Sequence, residues 1–265
     1  MNVTKIRTFI LTRKPFIHGV IQMRSLTRKI LCGAVLASFS GVLMMAQTSS
    51  PASPSADQAA TLVKVTALRD SFIDHVHAAG FTCPIAAPAV QVRDVASFGD
   101  YDEATNTVAT TDWSLLPPER RAMFFGMVGP GADEAAAHAM FEDTMHRWML
   151  IHEFAHWWQA CRGQMNVTSD RPAFTVGLEA DRITLAYWRD VDPLLVAKVA
   201  AVTQGMLDHV PSPVPAGQSY ESYFNQNYKT IPPPLRPWFA SHMVLTAMAE
   251  KPPPTFAQTL KLSTK

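Results

Sequence analysis

Apolar side chains recur every three or four positions over much of this chain, which is the spacing of helices that bury one face. One such stretch covers residues 57–79 and stops at Gly80, a residue type that commonly follows helix ends. A longer stretch runs from about 133 to 162 and stops at Gly163. The spacing also predicts a short helix after Pro117-Pro118, a helix that ends near Arg189, a helix from Asp192-Pro193 to about His209, and a last helix over 237–250.

Strand signals are confined to the region before the long helix. Residues 89–98 and 107–111 are the two stretches in which we expect strands. The residues from Gly99 to Thr110 are expected to form a turn that leads into the second strand. We therefore predict an α+β protein, a mostly helical domain with a small β-sheet or hairpin over the long helix.

The long helix contains the pentapeptide His152-Glu153-Phe154-Ala155-His156. Residues four apart share a helix face, so His152 and His156 can present two imidazoles to one metal ion. Glu153 lies about 100° further round the helix, where it can accept a proton from a water on that metal. The flanking residues are apolar, and burial of three ionisable groups there is costly unless something binds them. The motif predicts a site for one zinc ion, with Glu153 as the general base.

A catalytic zinc requires three protein ligands, and a second motif follows at Glu179-Ala180-Asp181-Arg182. Together the two motifs resemble the gluzincin branch of the zincin metallopeptidases. The second motif also resembles bacterial peptidases related to the CAAX-processing and membrane quality-control enzymes. The resemblance covers about residues 98–190. It implies a zincin-like domain that hydrolyses peptide bonds, in which a second helix supplies a Glu ligand and a nearby Asp orients a ligand histidine.

The chain departs from the family's usual Glu-x-x-Ala-Asp pattern, because Gly177 stands where that pattern has the ligand. We expect Glu179 to be the third ligand and Asp181 to fix the tautomer of a histidine. Asp181 as the ligand is an alternative, and so is a site that has lost its third ligand. An ordinary surface pair between Glu179 and Arg182 would also explain the spacing.

The resemblance implies further parts of a zincin site. Zincins carry an edge strand above the metal that pairs with an extended substrate, and residues 99–110 occupy the corresponding place, with an ordinary hairpin as the alternative. Zincins also stabilise the oxyanion with a Tyr or a His, a role for which Tyr187, His209 and His242 are the candidates. The aromatic residues between 220 and 228 either wall the substrate cleft or pack against the motif helix.

The N-terminal segment is not expected to belong to the fold. A basic stretch begins at Met23 and is followed by a mainly apolar stretch of 17 residues, Ile30–Ala46, which is the anatomy of a secretory signal. We expect translation to start at Met23 and residues 1–46 to be removed on export to the periplasm or the medium. A retained membrane anchor is the alternative. Residues 47–56 are expected to be a Ser/Pro linker, and residues 57–265 a single domain.

Removal of this segment changes the charge balance and the cysteine count. Residues 1–46 carry seven of the 23 Lys and Arg and no Asp or Glu, so the remainder has 16 basic against 22 acidic residues. The resulting net charge of −6 gives no reason to expect nucleic-acid binding. Cys83 and Cys161 remain, and in an exported protein we expect them to form a disulfide, with two buried free thiols as the alternative.

The sequence therefore favours an exported zinc-dependent peptidase with one Zn²⁺ per chain and a peptide or protein as its substrate. One alternative is a catalytically inactive zinc-binding protein of the same fold that acts as a binding or structural module. Another is a purely structural domain held together by the Cys83–Cys161 disulfide. A membrane is expected as a partner only if the signal segment is retained as an anchor.

Overall fold

The computed structural model describes residues 55–261, in which helices predominate and a small sheet follows the first helix. This confirms the predicted mostly helical α+β fold. The helices are α1 (Ala56–Ala78), α2 (Pro118–Val128), α3 (Glu134–Phe141), α4 (Leu150–Cys161), α5 (Ala173–Val191), α6 (Pro193–His209), α7 (Tyr220–Asn227), α8 (Arg236–Ala249) and α9 (Phe256–Thr259). The strands are β1 (Ala89–Val92), β2 (Gly99–Asp102) and β3 (Thr107–Thr110), and two short 3₁₀ turns cover Trp113–Leu115 and Pro233–Leu235.

Local capping chemistry fixes several helix ends close to the predicted positions. Ser55 accepts a hydrogen bond from the backbone of Gln58, whose side chain bonds back to Ser55, so a capping box starts α1. The Asp192 carboxylate accepts from two backbone N–H groups at the start of α6, and Pro193 occupies the first helical position. These signals are local, and the helices begin within a residue or two of their predicted starts.

The sheet has the strand order β1-β3-β2, with β1 parallel and β2 antiparallel to β3. The first strand is shorter than the predicted 89–98, because the backbone N–H and C=O of Val95 bond to the Thr111 hydroxyl instead of continuing a ladder. Gly99–Asp102, predicted as part of a turn, is a strand. Its hairpin with β3 places β2 at a sheet edge, next to α4.

The predicted long helix is one helical run in which a π-helical segment, Glu142–Met149, joins α3 to α4. Within this segment the Thr144 hydroxyl donates to the Met140 carbonyl, and the His146 ring bonds to the Thr111 carbonyl. A π-helical stretch changes the direction in which later side chains point, and such stretches are frequent at functional sites. The histidine motif begins three residues after it.

The hydrophobic core lies where α1, α4 and α5 pack against one another. Phe72 of α1, Phe154 and Trp158 of α4, and Ile183 and Leu185 of α5 are all buried. Each such side chain stabilises the fold by about 1.5–3 kcal/mol relative to an exposed position. Burial of this face fixes the rotation of α4 and leaves its histidine face toward α5 and α8.

Cys83 and Cys161 lie within disulfide-bonding distance, with their Cα atoms 5.4 Å apart and 78 positions apart in the sequence. The bond joins the loop after α1 to the end of α4. The predicted signal segment at residues 1–46 lies outside the described residues, as does nearly all of the predicted 47–56 linker. Between residues 55 and 261, no helix is both long and apolar enough to cross a membrane.

Candidate metal centre

Two histidines lie one turn apart on α4. The ring centroids of His152 and His156 are 4.7 Å apart, and their planes are almost perpendicular, at 89°. Both side chains line the same cavity, which α5, α7 and α8 also border. Helical spacing therefore brings the two imidazoles to one opening, as the motif predicts.

A hydrogen bond at Nδ1 holds each of the two imidazole rings. His152 Nδ1 lies 2.8 Å from Asp181 Oδ1, and His156 Nδ1 lies 2.7 Å from Gln159 Oε1. The aspartate carboxylate and the amide oxygen are acceptors, so each Nδ1 donates, and in the neutral form of each ring Nε2 keeps its lone pair. An imidazole held in this way presents Nε2 to a metal in a fixed orientation.

The two histidines differ in their acidity. Burial, together with the smaller effect of the nearby His152, lowers the pKa of His156 to about 3 and so favours the neutral form. Burial also lowers the pKa of His152, but the Asp181 carboxylate outweighs burial, so that the net pKa lies above its ordinary value. A metal ion would have to displace any proton on His152 Nε2 but none on His156.

Glu153 is buried between α4 and the edge strand β2, with 7% of its surface exposed. Burial raises the pKa of its carboxyl group to about 7, despite the opposing charge of His152. A Cβ atom at Gly99 would lie 3.0 Å from Met149 Cγ and 3.4 Å from Glu153 Cγ. The missing side chain at Gly99 therefore allows β2 to approach Glu153 closely.

The free edge of β2 is directed at this glutamate. Its register against β3 points the peptide groups of Gly99 and Tyr101 away from the sheet. The Tyr101 N–H donates to the Glu153 carboxylate, and the Gly99 carbonyl accepts from the Ser97 hydroxyl at 2.7 Å. An edge strand is thus present where the resemblance implies one, but two of its outward groups are already bonded within the chain.

Glu179, the expected third ligand, is held in an ion pair instead. Its two carboxylate oxygens accept from both terminal nitrogens of Arg171, with Arg171 Nη1 at 2.9 Å from Glu179 Oε1. The Gln159 amide lies 3.4 Å from the same carboxylate. Arg182, the partner of Glu179 in the alternative surface pair, binds Glu250 at 2.6 Å.

Asp181 takes the position of a histidine-orienting carboxylate. Its Oδ1 atom bonds to His152 Nδ1, so the imidazole ring separates it from any metal on Nε2. The side chain is buried, and Asp181 Oδ2 has no hydrogen-bond partner among the described residues. This placement favours the orienting role over the alternative in which Asp181 binds the metal.

Gly177, at the position where the family pattern has the ligand, faces Met243 of α8. A Cβ atom at Gly177 would lie 2.8 Å from Met243 Sδ, which is closer than carbon and sulfur atoms pack. Met243 is 4% exposed and lines the same cavity as the two histidines. A thioether therefore occupies the space that a side chain at position 177 would enter.

Two cavities meet beside His152. The first, which we name the histidine cavity, has a volume of about 500 Å³ and is lined by His152, His156, Gly177 and Met243. The second, which we name the apolar cavity, has a volume of about 230 Å³ and reaches Glu153. Its wall includes Met123, Met127, Met145, Trp148, Met149 and Met206. Four residues line both cavities, namely His152, Asp181, Arg236 and Ala240.

A catalytic zinc needs three protein ligands, and the two histidines supply two of them. Two neutral Nε2 atoms that share one cavity are suitable zinc ligands. Within residues 55–261, however, no three His, Cys, Asp or Glu side chains are grouped so that they could hold a metal ion. Glu179 would complete the set only by leaving Arg171.

None of the three candidates for oxyanion stabilisation lines either of the two cavities. Tyr187 is buried in the core, where its hydroxyl lies 2.9 Å from the Ser71 hydroxyl, and it lines neither cavity. His209 is an exposed residue at the end of α6. His242 stacks on Tyr220, with ring centroids 4.0 Å apart, and also lines neither cavity.

The aromatic residues 220–228 are divided between the wall of the histidine cavity and the side of α8. Phe224 and Tyr228 line the histidine cavity, whereas Tyr220 and Tyr223 pack beside α8. Sequence reasoning missed Gln159, although its position three residues after His156 on the same helix was a usable signal. It also missed Arg171, Met243 and Arg236, which no local pattern connects to the motif.

Comparisons of the chain with protein-family models, with curated proteins and with solved structures found no match. The class of site is therefore argued from the geometry of α4 and α5 and from the chemistry of their side chains.

Proposed function

We propose that this protein is a zinc-dependent peptidase of the zincin type, exported from the cell. One observation carries the proposal: His152 and His156 are each held at Nδ1 and present Nε2 to one cavity, with a buried carboxyl group on the adjoining residue. Such an arrangement is costly to bury for structural purposes alone, whereas it matches the needs of a metal-assisted hydrolase. The disulfide supports an oxidising compartment.

In this proposal His152 and His156 would hold the ion, and Glu179 would complete the set only if its carboxylate were released from Arg171. Zinc in such a site polarises a carbonyl group and lowers the pKa of a water. Asp181 and Gln159 keep the two imidazoles oriented. The role of Glu153 is to accept the proton of the attacking water and to pass it to the amine that leaves, for which a pKa near 7 is suitable.

A second candidate function is a metal-binding protein without hydrolytic activity. Two contacts favour it: Met243 fills the space beside Gly177, and Arg171 neutralises Glu179. With only two protein ligands the ion would be held weakly and its orientation would be less defined. The fold and the histidine cavity would then serve a binding role.

Metal content and hydrolysis together test the proposal. We expect protein without residues 1–46, purified without chelator, to contain about one zinc per chain. Glu153→Gln should keep this zinc and lose hydrolysis of a mixed-peptide substrate, because an amide cannot accept the proton. Zinc below a tenth of an equivalent after zinc dialysis would refute the metal site. Zinc binding with no hydrolysis in the parent would select the second candidate.

A further inference from the structure

The guanidinium group of Arg236 lies at the junction of the two cavities and has no acidic partner among residues 55–261. Its side chain is exposed, and its only hydrogen bond to a described residue runs from Nε to the Ile231 carbonyl at 3.4 Å. No ion pair with any residue between 55 and 261 neutralises it. Because it lines both cavities together with His152, it can bind an anion beside the proposed metal centre.

The two acidic side chains of α5 near His152 are already paired. Asp181 bonds to His152 itself, and Glu179 is paired with Arg171. The positive charge of Arg236 is used in neither of these pairs and is available to a ligand. Arginine binds carboxylates through two parallel hydrogen bonds, which makes a carboxylate the ligand group that this position fits best.

The size of the apolar cavity limits which side chain the residue with that carboxylate can have. Its volume of about 230 Å³ is below the roughly 300–1,000 Å³ of pockets that hold whole drug-sized ligands. It suits one large side chain, and its methionine-rich wall can adapt to an aliphatic or aromatic group. Glu153 lies in the same wall, so the peptide bond that is cleaved would be the one next to the residue whose side chain enters the cavity.

The contacts of the edge strand β2 also favour binding through a terminal carboxylate. An enzyme that cleaves within long peptides commonly holds the substrate backbone by pairing it with a free strand edge. In this chain the outward groups of Gly99 and Tyr101 are partly bonded to Ser97 and Glu153. Binding through a terminal carboxylate does not depend on that edge.

We infer that the site takes peptides with a free C-terminal carboxylate and a large apolar last residue, the carboxylate binding Arg236 and the side chain entering the apolar cavity. The cleavage part of this inference rests on the proposed function. Water adds to the last peptide carbonyl, the C–N bond breaks, and the proton that Glu153 accepted passes to the leaving nitrogen. The products are a shortened peptide with a new carboxylate and one free apolar amino acid.

Binding and cleavage are measured separately to test this inference. In binding, N-acetylleucine, N-acetylleucinamide and N-acetylglycine are titrated by NMR into zinc-loaded protein. We expect the acid to bind about 10–100-fold more tightly than the amide, as a charge-assisted contact predicts. N-acetylglycine should bind more weakly than N-acetylleucine. In cleavage, matched N-blocked pentapeptides that end in leucine or in leucinamide are compared by the release of the terminal residue.

Two variants test whether Arg236 causes the preference for the acid over the amide. Arg236→Gln should remove the preference for the acid, whereas Lys229→Gln, a cation change at a residue that lines only the histidine cavity, should keep it. Circular dichroism checks that both variants fold. Equal binding of acid and amide by the parent protein overturns the inference, and cleavage of both pentapeptides would then leave the peptidase function standing. Preference for the acid that survives Arg236→Gln also overturns it. Selective binding of the acid without cleavage supports the Arg236 site and refutes the peptidase function.

Discussion

Replacement of Arg171 by Met should make the metal-free protein less stable and its zinc binding tighter. Arg171 holds the Glu179 carboxylate by two hydrogen bonds, and Met keeps an apolar stem of similar length without the charge. In the variant, Glu179 would be a buried carboxylate that has lost its cationic partner. A zinc ion between His152 and His156 would then no longer compete with Arg171 for that carboxylate.

The size of both effects follows from the burial of the pair. Removal of one member of a buried ion pair costs about 3–5 kcal/mol. The Arg171 and Glu179 side chains are 18% and 10% exposed, so we expect about 2–3 kcal/mol of lost unfolding free energy in the absence of metal. The parent must break this pair to recruit Glu179, and the variant does not. A difference of about 2 kcal/mol in zinc binding corresponds to an affinity about 30-fold higher.

Urea unfolding in the presence of a chelator measures the first effect, and competition with a chelating dye measures the second. Arg182→Met is the matched control, because Arg182 also forms an ion pair from α5, with Glu250, and lines neither cavity. The control should lose stability without a change in zinc affinity. If Arg171→Met loses stability but binds zinc no more tightly than the parent, Glu179 is not a ligand and the three-ligand site fails.

Two further predictions concern the parts of the fold that position α4. Gly99→Ala should lower the unfolding free energy by about 1–3 kcal/mol, because the new methyl group would lie 3.0 Å from Met149 Cγ and must push β2 away from the helix. A urea midpoint equal to that of the parent would show that the close approach of β2 is not required. Substitution of both Cys83 and Cys161 by Ser should cost about 4 kcal/mol, since the bond closes a loop over 78 positions. Thiol titration of the unfolded parent should find no free thiol from this pair before reduction, and two reactive thiols would contradict the bond.

Local rules were enough to predict the helices and the histidine pair. Gly80 and Asp192-Pro193 mark helix ends in the sequence because the backbone conformation and hydrogen bonds that they favour involve only neighbouring residues. The 3.6-residue period likewise puts His152 and His156 on one face wherever the helix packs. The shortened β1 and the strand at Gly99–Asp102 were not predicted, because hydrogen bonds with Thr111 and β3 decide them.

The partners of the motif were decided by tertiary structure alone. Nothing in the spacing of Glu179 indicates that Arg171, from the loop before α5, would neutralise it. Nor does the sequence around Gly177 indicate that Met243, 66 positions later, would fill the space beside it. The sequence by itself determined which side chains α4 offers to a ligand, because helix geometry is local. The packing of α5 and α8 against α4 determined which charges remain free there, because ion pairs and cavities form between segments far apart in the chain.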